Sequence, residues 1–488
     1  MLHLPLLRGG QPYRSLDAQP LRDVRTGETV AELSQANRGL IAKDLASIRE
    51  ARRSFQELST AELLAISRRA ARLFMEAELP LGAGGEAQSP ADYVRQLSAT
   101  CGLPETLCRA NMEKVRAVLD GMETVLAGLT GGLDLSVLDR GWGSHGGRRL
   151  SYLRQTEALG AILPSNSPGV HTLWLPSPVL KVPVALKPGR EEPWTPLRIA
   201  QSLMAAGLPP AAIGFYPTDH AGAAEILLRC GRSLLFGDEA TVRPWRDDPR
   251  VQIHGPGWSK VLFGEDQAPL WEQHLDLLVT SIAENGGRSC FNASGIWVPS
   301  QRRGSGRELA EALAHRLAGI EALPLDHPEA RLAAFPRPQA AHRISELIDR
   351  HLRAPGAVDL TAEVRGRGRV AEVDGCTFLL PTVVWCDDPG HPLANTELLF
   401  PFVAVVEAPR RELLERIGPT LVATALTEDR DFQRELLDCP WIDRLNLGPI
   451  PTCRLAWDQP HEGNLFAHLY RQRSIQSASP EPGIEAAL

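Results

Sequence analysis

Cys290 lies in Glu284-Asn285-Gly286-Gly287-Arg288-Ser289-Cys290-Phe291-Asn292-Ala293-Ser294-Gly295, where a small, Gly-rich approach exposes one thiol beside a short apolar segment. A thiolate attacks the carbon of a carbonyl or a thioester well, and its reactivity depends on exposure and a lowered pKa. The competing reading is a buried structural thiol, because free cysteine is among the most buried residue types. Upstream, Ile162-Leu163-Pro164-Ser165-Asn166-Ser167-Pro168-Gly169 is an apolar, strand-like run closing in a Pro-bracketed turn, so Asn166 falls at the carboxyl end of a strand.

The elements that must position these residues follow the same pattern. Val179-Leu180-Lys181-Val182-Pro183-Val184-Ala185-Leu186-Lys187-Pro188-Gly189 reads as a second strand, and Leu197 to Ala206 as an amphipathic helix before the turn Gly207-Leu208-Pro209. A Pro-x-Asn-x-Pro turn, a strand ending in Lys-Pro, a helix closing in Ala-Gly-Leu-Pro and then a Gly-x-x-Cys nucleophile, in that order, resemble the aldehyde dehydrogenase superfamily. The likeness spans about Asp23 to Arg473.

The resemblance implies that Cys290 is the nucleophile and that Asn166, with the Cys290 backbone N–H, donates to the oxyanion formed on attack. It implies that Lys187 hydrogen-bonds the adenosine ribose of the cofactor, and that Glu397, in Asn395-Thr396-Glu397-Leu398-Leu399-Phe400-Pro401, orients the nicotinamide ribose. Leu399 and Phe400 depart from the family's Phe and Gly there. Gly237, after Leu234-Leu235-Phe236, would be the turn glycine of the cofactor site, or an ordinary strand-ending glycine. Three residues after Lys187 the family often has Glu; Arg190 in its place favours NADP(H), with NAD(H) as the other choice.

The hydrolytic members carry a general-base Glu in a Glu-Leu-Gly-Gly-Lys run. The corresponding stretch here is Val251-Gln252-Ile253-His254-Gly255-Pro256-Gly257-Trp258-Ser259-Lys260, with His254 standing 36 residues before Cys290, near the family spacing. Losing that carboxylate removes the obvious activator of water and favours a thiol as the group that resolves the acyl-enzyme. The run is similar to that of fatty acyl-CoA reductases, in the acylating branch. His254 is either a base of its own or a structurally satisfied histidine. The expected reaction is NADPH-dependent reduction of an acyl-CoA to an aldehyde, reversible, with CoA as co-substrate. Hydrolytic oxidation of an aldehyde and a catalytically silent scaffold are the alternatives.

With 488 residues, 43% hydrophobic and 23% charged, the chain can bury a large core in two or more lobes. A net charge of −7 without a basic stripe argues against nucleic acid as a partner. The apolar start, Met1 to Leu7, is too short and Pro-interrupted for a signal-peptide core, and no run reaches transmembrane length, which predicts a cytoplasmic protein. The eight cysteines, at 101, 108, 230, 290, 376, 386, 439 and 453, include no Cys-x-x-Cys pair, so neither a metal site nor a disulfide framework is expected.

Alternation of strands and helices from Ala158 to Lys260 predicts a doubly wound, Rossmann-type α/β sheet without a Gly-x-Gly-x-x-Gly fingerprint. The expected organisation is a dinucleotide-binding domain from 1–131 and 159–260, a catalytic α/β domain over 261–459, and an oligomerisation hairpin and tail from 132–158 and 460–488. A homodimer or homotetramer is implied by the resemblance. Within the hairpin, Leu133–Leu138 reads as strand.

Overall fold

The structure is a computed structural model that describes residues 2–476 except 49, 50, 52, 54, 56, 83 and 301–304. Two seven-stranded sheets carry the molecule. In the first, Val251–His254, Arg232–Phe236, Leu159–Ile162, Val184–Lys187 and Ile213–Phe215 run parallel in that spatial order, and Leu6–Arg8 and Gln11–Tyr13 extend the edge antiparallel. Its parallel strands are almost wholly apolar and buried, as strands covered on both faces must be.

Chain order reverses at Leu159–Ile162. The next two strands lie on one side of it and the following two on the other, which opens a crevice at the strands' carboxyl ends where α/β sheets bind ligands. Asn166, Lys187, Gly237 and His254 all lie at or just beyond those ends.

The second sheet orders Ala357–Asp359, Thr382–Cys386, Phe402–Ala408, Gly295–Pro299, Lys260–Phe263, Thr420–Leu426 and Ile442–Leu447, with only the first strand antiparallel. The five residues Gly255 to Ser259 are therefore the link by which the chain leaves one sheet and enters the other. Each sheet has its own apolar core, with Trp174 and Trp194 sealed in the first lobe and Trp297 in the second.

The amino-terminal helices pack beneath the crevice. Thr60–Glu76 begins with a capping box in which Ser59 and Glu62 exchange hydrogen bonds, the start that Ser59-Thr60-Ala61-Glu62 predicts. Pro90–Cys101 ends at Gly102, left-handed at φ +75°, before Glu105–Asp120 resumes. The strand expected at Leu133–Leu138 is partly a short helix, Ser136–Arg140: Asp134, just ahead of it, accepts from the Ser136 N–H at 3.0 Å, and Leu133 and Val137 are buried. Gly143–His145 and Arg148–Arg154 do form the hairpin, and Tyr470–Arg473 adds to it as a third, antiparallel strand. Among the described residues no helix is long and apolar enough to cross a membrane.

Candidate active site

The Cys290 loop is built by three consecutive residues in left-handed conformation, Asn285 (φ +53°), Gly286 (+66°) and Gly287 (+69°). A Cβ on Gly287 would lie 2.4 Å from the Phe400 carbonyl carbon, so only glycine lets this loop rest on the segment that carries Glu397. Asn285 spends its side chain as a strut: its Oδ1 accepts from Asn111 at 2.7 Å, and its Nδ2 donates to Ser167 and Ser289 Oγ at 3.0 Å each. One amide thereby ties the Cys290 loop to the Asn166 turn and to the helix Glu105–Asp120.

The interlobe link closes over the same loop. Ser259 Oγ donates to the Cys290 carbonyl at 2.8 Å, and a Cβ at Gly257 would lie 2.0 Å from that oxygen. Trp258, forced to φ +44°, donates its N–H to Glu397 while its carbonyl accepts from Lys260 Nζ at 2.7 Å.

Cys290, Asn166, His254, Gly237 and Glu397 all face one cleft of about 740 Å³ between the two sheets. Asn166 uses one amide hydrogen on the Arg288 carbonyl at 2.7 Å and keeps the other. Lys187, half-buried at the end of its strand, and Arg190, exposed, do not line the cleft. Burial lowers the Lys187 pKa against the opposing pull of Glu191. The cleft wall near that strand end carries Glu191 instead, paired with Arg337 from the second lobe at 2.6 Å.

The residue that sequence reasoning missed is Glu462. Residues 460–463, grouped by sequence with the tail, fold back onto the Cys290 loop, and the Cys290 thiol donates to Glu462 Oε1 at 2.7 Å. The other carboxylate oxygen, Oε2, accepts from His254 Nδ1 at 2.7 Å. Glu462 sits at φ +52° before Gly463 at +86°, where a Cβ would lie 1.9 Å from Gln252 Nε2. The only sequence signal was a His-Glu pair preceding a glycine.

His461 backs the carboxylate. Arg444 donates to its Nδ1 at 2.8 Å, so its Nε2 bears the proton and faces Glu462 at 3.6 Å. Burial pushes the His461 pKa down to about 4.

These contacts fix the charges. Burial pushes the Cys290 thiol well up, and the neighbouring Glu462 anion adds to that, so Cys290 rests as a thiol. Burial works to raise Glu462 as well, but the His254 hydrogen bond and the charges of His461 and His254 outweigh it and hold the carboxyl down at about 2. With Nδ1 engaged on the Glu462 carboxylate, Nε2 is the ring nitrogen left for a reacting group. That atom is buried without a hydrogen-bond partner, and the ring stacks on Phe236 at 4.4 Å between centroids.

Glu397 is raised to about 7, chiefly by burial, and Lys260 is lowered to about 7 by burial. Among the described residues no group of three or more His, Cys, Asp or Glu side chains could hold a metal ion.

The cleft also fits a nicotinamide dinucleotide. It lies at the topological switch of a parallel sheet, carries carboxylates at Glu191 and Glu397 able to accept from ribose hydroxyls, and runs to the thiol.

The sequence profile described as the aldehyde dehydrogenase family matches residues 14–416. A search of curated proteins found no match. Several solved structures share the fold. The NAD+ complex of an aldehyde dehydrogenase from Bacillus cereus superposes with a TM-score of 0.75 at 15% identity, covering 97% of this chain and 96% of that one. The aldehyde dehydrogenase KauB from Pseudomonas aeruginosa gives 0.76 at 16%, with 97% and 96% covered. A 3,6-anhydro-L-galactose dehydrogenase in complex with NAP gives 0.75 at 14%, with 96% and 99% covered.

Proposed function

Because the chain belongs to the aldehyde dehydrogenase family, and so to the NAD(P)-dependent oxidoreductases of aldehydes, we propose that it reduces an acyl thioester of CoA to an aldehyde, reversibly, through a thioester on Cys290. The observation that carries this reading is the dyad in which Glu462 holds His254 by Nδ1 and leaves Nε2 bare. An imidazole takes a proton from a thiol, of pKa about 8.5, far more easily than from water, at about 15.7. Glu462 itself has one oxygen on the thiol and the other on His254, so both are already engaged.

In the reducing direction the Cys290 thiol passes its proton to Glu462 as sulfur bonds the acyl carbon. The oxyanion takes hydrogen bonds from the spare Asn166 N–H and the Cys290 N–H. The bond to the CoA sulfur breaks, and the leaving thiolate takes up a proton drawn from solvent through His254 Nε2, while Glu462 keeps the Cys290 proton. Glu397 and Glu191 would hold the ribose hydroxyls of the dinucleotide, which supplies the hydride when bound. The thiohemiacetal left on Cys290 then collapses to the aldehyde, and sulfur recovers its proton from Glu462. NADPH is the favoured reductant, with NADH as the alternative.

A second reading, hydrolytic oxidation of an aldehyde, draws on the placement of a carboxylate 2.7 Å from the nucleophile. The test is absorbance at 340 nm with NADPH or NADH against acyl-CoAs from acetyl to palmitoyl, with Cys290→Ala as control. Oxidation of the reductant that vanishes in the variant supports the proposal. CoA-independent oxidation of aldehydes, with no turnover of any thioester, overturns it in favour of hydrolysis. Silence in both directions, with slow alkylation of Cys290, overturns both in favour of a scaffold.

A further inference from the structure

We propose that Arg337, with Arg343, is the recognition site for a phosphomonoester on an adenosine ribose, and that Glu191 is its switchable partner. The inference rests on the functional reading above, since both NADPH and CoA carry that group. Arg190, whose type favours a phosphate ligand, is exposed and off the cleft wall. The guanidiniums on the wall come from the other lobe. Arg337, Ala340 and Arg343, spaced by three at the start of the helix Pro338–His351, all face the cleft.

Arg337 Nη2 reaches across to Glu191 Oε1, and Glu191 is anchored by its own N–H to Ser165 Oγ at 3.1 Å, beside the strand ends. The pair therefore spans the two lobes over the side of the cleft nearest Lys187. The Arg337 side chain is 59% exposed, so this ion pair contributes little and exchanges readily. A phosphate dianion accepts two parallel N–H bonds from one guanidinium, and so competes well with a single carboxylate oxygen. Among the described residues Arg343 makes no ion pair, and it adds a second cation to the wall.

With an unphosphorylated ribose, the Glu191 carboxylate accepts from the hydroxyls. With a phosphorylated one, Arg337 leaves Glu191 for the phosphate. The two residues thus set the preference between phosphorylated and plain ligands.

The test is direct binding to the full chain. NADPH and NADH are titrated by nicotinamide fluorescence, and CoA and 3′-dephospho-CoA by calorimetry, for wild type, Arg337→Ala, Arg343→Ala and Glu191→Gln. Arg337→Ala should weaken NADPH about tenfold or more while NADH changes less than about threefold, because the freed Glu191 now repels phosphate. Glu191→Gln should weaken NADH and spare NADPH. A loss confined to CoA over 3′-dephospho-CoA assigns the site to the CoA phosphate instead, still in support.

Equal losses for phosphorylated and unphosphorylated ligands in both arginine variants overturn the inference. Wild type that binds neither dinucleotide nor CoA overturns the functional reading with it. Arg343→Ala keeps the test open should Arg337→Ala fail to fold, as circular dichroism would show.

Discussion

Glu397 and Glu462 face the same cleft near Cys290, yet the protein holds them in opposite states: Glu397 is raised to about 7 and Glu462 is lowered to about 2. Burial pushes both upward. Glu397 receives backbone N–H groups from Trp258 and Gly257 and feels Lys260, itself half-discharged near neutrality, and this does not overcome desolvation. Glu462 receives His254 Nδ1–H and the Cys290 thiol and faces His461, and these do. The difference teaches that the donors and charges assembled around a carboxylate, and not its depth alone, decide whether it waits as an anion or holds a proton.

The largest expected effect comes from breaking this contrast at Glu462. Glu462→Gln keeps the shape and removes the charge, and turnover should fall about 10²–10⁴-fold as a proton acceptor is lost. The Cys290 thiol should at the same time become easier to ionise, because the anion that raises its pKa is gone. Iodoacetamide alkylation at pH 8 should therefore speed up while catalysis fails. Slower alkylation would mean that the carboxylate does not restrain the thiol, and the contrast would lose one side.

Asn166→Ala comes next. It leaves both carboxylates in place and removes the proposed oxyanion donor, so kcat should fall about 10²–10³-fold with the alkylation profile unmoved. A shifted profile would show that Asn166 acts on the thiol through Arg288, rather than on the reacting oxygen.

The third effect is on stability. Folded Glu397 keeps its proton to about pH 7 whereas the unfolded carboxyl loses it near 4.5, so its contribution to stability declines as pH rises through that window. Glu462 has the opposite sign: its stabilisation is present above about 4.5 and is lost as pH falls towards about 2. Glu397→Gln should reduce the drop in Tm between pH 5 and pH 8 by about 1–3 °C, measured at one scan rate. An unchanged drop would place the titrating group elsewhere.

The smallest effect is at Lys260, whose charge pulls Glu397 downward. Lys260→Met should move the pH midpoint of dinucleotide affinity upward by about 0.5–1 unit. A downward shift would contradict the assigned sign.

Much of the frame was legible because it is local. The strand ending before Asn166, the capping box at Ser59 and the Gly-rich approach to Cys290 each announce themselves within a few residues, through periodicity and turn chemistry. The exception, the helix Ser136–Arg140, is short enough that an apolar alternation and a single helical turn look alike. His254 could be placed by its spacing from Cys290, but its working tautomer could not. That depends on Glu462, 208 residues further along the chain.

The sequence by itself determined the Gly-rich loop that carries Cys290, the turn that carries Asn166 and the order of strands and helices, because these depend on residue type and short-range pattern. Only the tertiary structure decided the charge of each group in the cleft and the arrival of Glu462 at Cys290. It likewise passed the cleft's cations from Arg190 to Arg337 and Arg343. The physical reason is that a pKa and a binding surface are set by everything within a few ångströms. Here those neighbours come from two sheets and a returning segment far apart in the chain.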